Sequence, residues 1–196
     1  MPRTIRFARR RLPHWEVVDG RYFVTVRCAD SLPQEAVLRL DELTKALRLI
    51  TPRSDQFATL QRETFRTLEK YLDGGHGSCP LRHTDAAKIV CAEFAALSDW
   101  RVAASHFTIM PNHWHALLTP GPGCLHPLSA VMKRLKGRTA KQLRALLGGN
   151  GPVWQREWFD RWMRSDAEWG KCVSYIRNNP VKANLVQTWS EHPWTK

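Results

Sequence analysis

Runs of alternating apolar and polar residues, and runs spaced every three to four positions, divide the chain into segments. Tyr22-Phe23-Val24-Thr25-Val26-Arg27-Cys28 is rich in β-branched and aromatic residues and predicts a strand. Over residues 33–72, Leu38, Leu40, Leu43, Leu47 and Ile50, then Phe57, Leu60, Phe65, Leu68 and Leu72, recur at helical spacing. An interruption near Thr51-Pro52 predicts two helices there. Asp73-Gly74-Gly75-His76-Gly77 predicts a loop, and a helix follows from about Thr84, read as its N-cap, to Leu97. Val102–Met110 and His113–Thr119 predict two strands joined by a tight turn at Pro111-Asn112. After the Gly121-Pro122-Gly123 break, residues 127–147 predict a basic helix with Leu128, Val131, Met132, Leu135, Leu143 and Leu146 on its apolar side. Gly148-Gly149-Asn150-Gly151 ends it. Pro152 to Met163 is strand-like and aromatic, with Trp154, Trp158, Phe159 and Trp162.

Ser165-Asp166-Ala167-Glu168 fits a capping box that starts a final helix, with Ser165 as N-cap and Glu168 at the third helical position. That helix is expected to end at Asn179, because a residue before proline is pushed out of the α region. The order β-(α)-α-β-β-α-β-α predicts an α+β fold: a ferredoxin-like, split-βαβ antiparallel sheet with helices on one face. Residues 1–20, ending at the Asp19-Gly20 turn signal, read as a basic, irregular arm.

The chain has 196 residues, 43% of them hydrophobic and 24% charged, which suits a single domain over 1–196 with the arm 1–20 and a helical insertion at about 33–72. No stretch approaches 18 consecutive apolar residues, so no membrane partner is expected. The N-terminus is basic but lacks the apolar stretch of a signal peptide, which makes the cytoplasm the expected compartment. The five cysteines, Cys28, Cys79, Cys91, Cys124 and Cys172, are odd in number and widely spaced, against both a disulfide framework and a cysteine zinc site.

Charge sharpens this picture. The net charge is +12, and from Trp100 to Arg156 there is not one Asp or Glu. That window contains Lys133, Arg134, Lys136, Arg138, Lys141 and Arg156; the first eleven residues, also free of acids, end in Arg9, Arg10 and Arg11. Two acid-free basic blocks in a chain with nine Trp favour a nucleic-acid partner, with phosphates bound by cations and unpaired bases stacked on aromatic rings. These nine cations are the candidate nucleic-acid-binding residues.

Two constellations carry candidate chemistry. His113-Trp114-His115 on a strand points both imidazoles to one face and Trp114 to the other. With Trp114, Ala116 and Leu118 packed on helices, the histidine face is expected to be the more open one. The pair suits chelation of one ion, and imidazole favours zinc, manganese, iron, nickel or copper over magnesium. Two ligands are too few, so a third must come from elsewhere; two unrelated histidines would give the same pattern. Tyr175 and Asn179, four residues apart, share one face of the last helix. The apolar stripe there is Trp169, Cys172, Val173 and Ile176, and Tyr175 lies roughly 120° from its centre, at ~100° per residue. Asn179 is a candidate metal ligand or helix C-cap.

The run His106-Phe107-Thr108-Ile109-Met110-Pro111-Asn112-His113-Trp114-His115 resembles the histidine–hydrophobic–histidine motif of HUH-superfamily single-tyrosine transposases. Ser174-Tyr175-Ile176-Arg177-Asn178-Asn179-Pro180-Val181-Lys182 resembles their nucleophile motif. Within the superfamily the chain is most similar to the REP-associated tyrosine transposases. Leu12-Pro13-His14-Trp15 with Tyr22-Phe23-Val24-Thr25, Ala29-Asp30-Ser31-Leu32-Pro33 and Val153-Trp154-Gln155-Arg156-Glu157-Trp158-Phe159-Asp160 support that branch. The resemblance implies an HUH endonuclease core in which His113, His115 and Asn179 bind Mg²⁺ or Mn²⁺ and Tyr175 is the nucleophile. It implies cleavage and rejoining of single-stranded DNA near hairpins of REP-like palindromes through a 5′-phosphotyrosine. It also implies a monomer or homodimer acting in the cytoplasm, at the nucleoid. Segment 34–98 carries nothing over. Two rival functions remain: a non-catalytic single-stranded nucleic-acid or hairpin-binding protein on the same fold, and a zinc hydrolase that would need a carboxylate or cysteine beside the histidines.

Overall fold

The computed structural model describes residues 4–9, 12–52 and 54–196. In chain order it contains β1 (Thr4–Arg9), β2 (Pro13–Val17), β3 (Arg21–Arg27), α1 (Gln34–Leu49), α2 (Asp55–Leu72) and α3 (Thr84–Ala95). There follow β4 (Val102–Met110), β5 (His113–Pro120), α4 (Leu128–Leu147), β6 (Phe159–Met163) and α5 (Asp166–Lys182). Strands β3 to β6 form one antiparallel sheet in the order β4-β5-β3-β6. The crossover from β3 to β4 carries α3 and skips the position that β5 fills. The crossover from β5 to β6 carries α4. This is the split-βαβ plan expected from the pattern, an α+β fold. Among the described residues, no helix is long and apolar enough to cross a membrane.

Period-two alternation sends Trp114, Ala116 and Leu118 of β5, with Val24 and Val26 of β3, to the face covered by α3 and α4. Phe94 of α3 meets the Trp114 ring edge-on, centroids 5.0 Å apart. Burying each such large side chain contributes about 1.5–3 kcal/mol. Helices cover the opposite face as well. Phe23, Leu117 and Phe159 lie there beneath Leu68 and Leu72 of α2 and Ile176 of α5. The face expected to be more open is closed because the amphipathic helices α2 and α5 must bury their own stripes.

Residues expected to form an irregular arm instead pair as the antiparallel hairpin β1–β2, with Phe7 opposite Trp15 and Ala8 opposite His14. The hairpin docks through polar contacts. His14 Nδ1 bonds Asp160 of β6, and His14 Nε2 lies 3.3 Å from Glu157 Oε2. Glu16 Oε1 accepts from the Ser129 backbone N–H at 3.1 Å. Arg10 and Arg11, and the side chain of Arg9, lie outside the described residues.

Other differences have local causes. His83, not Thr84, is the N-cap of α3, its side chain accepting from Asp85 N. Ser165 caps α5 by accepting from Glu168 N, but the Glu168 carboxylate reaches Arg164 N instead of closing the box on Ser165. Helix α5 continues through Pro180, which is buried, and hydrogen bonding resumes beyond it with Ala183 N to Asn179 O at 3.0 Å. Of the strand expected over 152–163, only β6 forms regularly. Ahead of it the chain makes only an isolated bridge, Trp154 with Cys28, and the carbonyls of Gln155 and Arg156 accept from Lys136 Nζ at 2.7 and 2.5 Å.

Candidate active site

His113 and His115 project from β5 onto the face covered by α2 and α5, and both are fully buried. Their outer nitrogens are fixed from the sheet. Asn112 Nδ2 donates to the His76 carbonyl at 3.0 Å, which leaves Asn112 Oδ1 to accept from His113 Nδ1 at 2.8 Å. The proton therefore sits on His113 Nδ1, and Nε2 presents its lone pair. His115 Nδ1 lies 2.8 Å from Thr25 Oγ1 on the paired strand β3. A hydroxyl can donate or accept, so His115 can adopt either tautomer. The two Nε2 atoms converge to 3.1 Å. Burial, then the other imidazole's proximity, depresses the His113 pKa to about 3. Burial takes His115 to about 3 as well. Both rings are therefore neutral, the state a metal ligand requires.

The third group in this cluster is a residue that sequence reasoning missed. Glu69 of α2 is buried, and its Oε2 lies 3.4 Å from His115 Nε2. Neither carboxylate oxygen has a hydrogen-bond partner among the described residues. Glu69, His113 and His115 each offer a ligand atom within 4.8 Å of the others. Burial pushes the Glu69 carboxyl up to about 8 despite the nearby histidine. Its signal in the sequence was an acid set into an apolar stripe, beside Leu68 and one turn from Phe65 and Leu72. Lys182 Nζ pairs with Asp73 Oδ2 at 2.6 Å and ties the end of α2 to the end of α5 over the site.

Tyr175 and Asn179 arrive at the same place on α5. Asn179 is buried, and its Nδ2 donates to the Tyr175 hydroxyl at 3.2 Å. Asn179 Oδ1 makes no well-formed hydrogen bond among the described residues, although the amide approaches His113 closely enough to hold its pKa up somewhat. Tyr175 is half-buried; its ring meets His115 edge-on at 5.4 Å and Phe23 at 5.8 Å. The four residues singled out for chemistry, His113, His115, Tyr175 and Asn179, thus form one constellation with Glu69. Three buried oxygens without hydrogen bonds, two on Glu69 and one on Asn179, beside two neutral imidazoles, form a donor set that fits a divalent cation.

Among the described residues, the candidate nucleic-acid cations fall elsewhere. Helix α4 packs on the sheet face opposite this site. Several of its cations have structural partners. Arg138 Nε bonds both oxygens of buried Glu93 at 2.9 and 2.8 Å. Arg134 bonds the Ala96 carbonyl and Asp99 and lies over Trp100, and Lys136 holds the 155–156 carbonyls. Lys133, Lys141 and Arg156 are exposed.

The family model described as "Transposase IS200 like" matches residues 82–179, half of the chain. A solved structure of a REP-associated tyrosine transposase bound to a REP hairpin is similar at 21% identity and a TM-score of 0.49, covering 90% of this chain and 76% of that one. A protein named as a candidate transposase, from Deinococcus radiodurans R1, is similar at 15% identity and a TM-score of 0.37, with coverage of 81% and 89%. No curated protein matches the chain.

Proposed function

The chain belongs to the IS200-like transposase family, and from that premise we propose that it cuts and rejoins single-stranded DNA beside palindromic hairpins, with Tyr175 as nucleophile. The observation that carries this reading is the meeting of Tyr175 and Asn179, on the last helix, with the buried histidine pair of β5. The hairpin as substrate rests on the motif resemblance to the REP-associated branch.

His113, His115 and Glu69, with Asn179 Oδ1, are the residues that would hold one divalent cation. Two imidazoles make Mn²⁺ a better match than Mg²⁺. When bound, such a cation neutralises charge on the scissile phosphate and orients it for in-line attack. The protein's own part is positional. The N–H bond from Asn179 to the Tyr175 oxygen favours the phenolate over the phenol. The ring is clamped by Phe23 and His115, so the hydroxyl is presented in a fixed direction. Attack by the Tyr175 oxygen forms a P–O bond to the 5′ side and breaks the P–O3′ bond. The departing 3′ oxygen takes up a proton as a free hydroxyl. Because the phosphotyrosine keeps the bond energy, a 3′-hydroxyl can reverse the step and join strands. The site is complete within one chain, so a monomer suffices, acting on DNA in the cytoplasm, at the nucleoid.

A second reading has one observation in its favour. Glu69 provides the carboxylate that a zinc hydrolase built on the histidine pair would require. A covalent-adduct assay separates the two. Protein is incubated with labelled single-stranded hairpin DNA and Mn²⁺ or Mg²⁺, then denatured and resolved. The transposase reading expects a metal-dependent protein–DNA band that is lost in Tyr175→Phe and in His113→Ala. Cleavage without a band, undiminished in Tyr175→Phe, would establish the hydrolase. Tight binding with no band and no cleavage would leave a non-catalytic binder.

A further inference from the structure

Beside Tyr175 lies a cleft of about 580 Å³ that none of the roles assigned so far uses. It runs between α2 on one side and β6 with the start of α5 on the other, and Tyr175 forms part of its wall. Its size falls within the ~300–1,000 Å³ typical of built ligand sites. The floor is aromatic: Phe23, Phe65 and Phe159. Trp15, whose ring packs on Phe7, and half-buried Trp162 line it too.

The polar lining is cationic. Arg62 and Arg66, one turn apart on α2, are exposed and have no carboxylate partner among the described residues. Arg164 is exposed and its guanidinium lies over the Trp162 ring at 5.5 Å. Arg161 is paired with Glu168 at 2.7 Å. The remaining acid is Asp55 at the start of α2. Four arginines thus face two acids, one of them already paired. Cations that follow a backbone together with open aromatic rings are what an unpaired strand requires, because stacking reads every base's π-face and arginines read the phosphates. A duplex has no unstacked bases to offer the rings.

We propose that this cleft binds unpaired DNA nucleotides and leads them to Tyr175, with Arg62, Arg66 and Arg164 on the phosphates and Trp162 stacking on a base. The proposal rests on the single-strand cleavage reading for its purpose, but not for its test. Trp15, Arg62 and Arg66 lie outside residues 82–179, so this part of the surface is contributed by segments beyond the family-matched span.

Binding is read in EDTA, where no cleavage occurs, by anisotropy of a labelled oligodeoxythymidine and of a duplex of equal length. Stacking is read by quenching of a 2-aminopurine placed in the single strand. The double variant Arg62→Ala/Arg66→Ala is expected to weaken single-strand binding about 10-fold and to lower the salt slope by about 1.4, two contacts at about 0.7 each. Trp162→Ala is expected to lose quenching and about 5- to 100-fold in affinity, and Trp162→Phe to restore quenching. Circular dichroism checks that each variant folds. Unchanged affinity and slope in the arginine pair, or equal losses on duplex, would overturn the proposal. The adduct assay runs in parallel with Mn²⁺. Adduct formation by the wild type with unaltered binding in the arginine variants sinks the cleft and leaves the cleavage reading standing. Binding losses without any wild-type adduct do the reverse.

Discussion

Glu69 Oε2 lies 3.4 Å from His115 Nε2, joining helix α2 to strand β5 at a point where neither partner meets water. A buried carboxyl group without hydrogen-bond partners among the described residues destabilises the metal-free protein. Glu69→Leu should therefore raise metal-free stability by about 1–3 kcal/mol. The same change should remove the response to metal. At 100 times its Kd, Mn²⁺ should stabilise the wild type by about 2.7 kcal/mol. Thermal melts of both proteins with and without Mn²⁺ check this; a variant stabilised by Mn²⁺ as much as the wild type would remove Glu69 from the ligand set.

Asn179 acts on Tyr175 through one hydrogen bond. Asn179→Ala should slow adduct formation by about 100-fold, the usual loss when one preorganised donor to a developing charge is deleted. The loss should persist at saturating Mn²⁺, and single-strand affinity should stay at the wild-type level. Recovery at high Mn²⁺ would mean that the amide serves the ion alone.

The hairpin β1–β2 is held to β6 by His14 and Asp160. Burial alone would depress the imidazole, but the hydrogen bonds and charges of Asp160 and Glu157 outweigh it and raise His14 to about 9. A raised folded-state pKa means that its stabilisation is whole below the ordinary value of 6.5 and is lost as the pH climbs through about 9. The loss amounts to something on the order of 3 kcal/mol. Urea midpoints from pH 6 to pH 10 should fall more steeply in the wild type than in His14→Gln. Parallel curves would deny His14 that role.

Arg138 belongs to the basic helix but is bound to buried Glu93 by both oxygens. Arg138→Ala should show itself as lost stability, about 1–3 kcal/mol, because an uncompensated carboxylate remains behind. Denaturant unfolding reads this directly. A variant of full stability with weakened DNA binding would restore Arg138 to the nucleic-acid surface.

Much of this was legible in the chain itself. Period-two runs placed β3, β4 and β5, and the turn at Pro111-Asn112 set the histidines on adjacent same-face positions of one strand. Ser165 marked the start of the helix that bears Tyr175 and Asn179. What local pattern could not reveal was which faces meet across long separations. Glu69 reads as one acid among many on α2 until α2 is laid over β5. The cations of α4 read as a free basic face until Glu93, Asp99 and the 155–156 carbonyls are seen to engage three of them. Pro180 predicted a stop because the rule for residues before proline is local, whereas the buried end of α5 is held by its neighbours. His14 and Asp160, far apart in sequence, carry no joint signal before β2 and β6 are brought together.

A segment outside the span a family shares is ordinarily the part of a chain most tolerant of exchange. Here α2 lies outside the family-matched span, yet it closes over the histidines and brings a carboxyl group to them. With Glu69 in the proposed ligand set, exchanging residues 33–72 would alter the group beside the histidines while Tyr175 and Asn179 stay on a different helix.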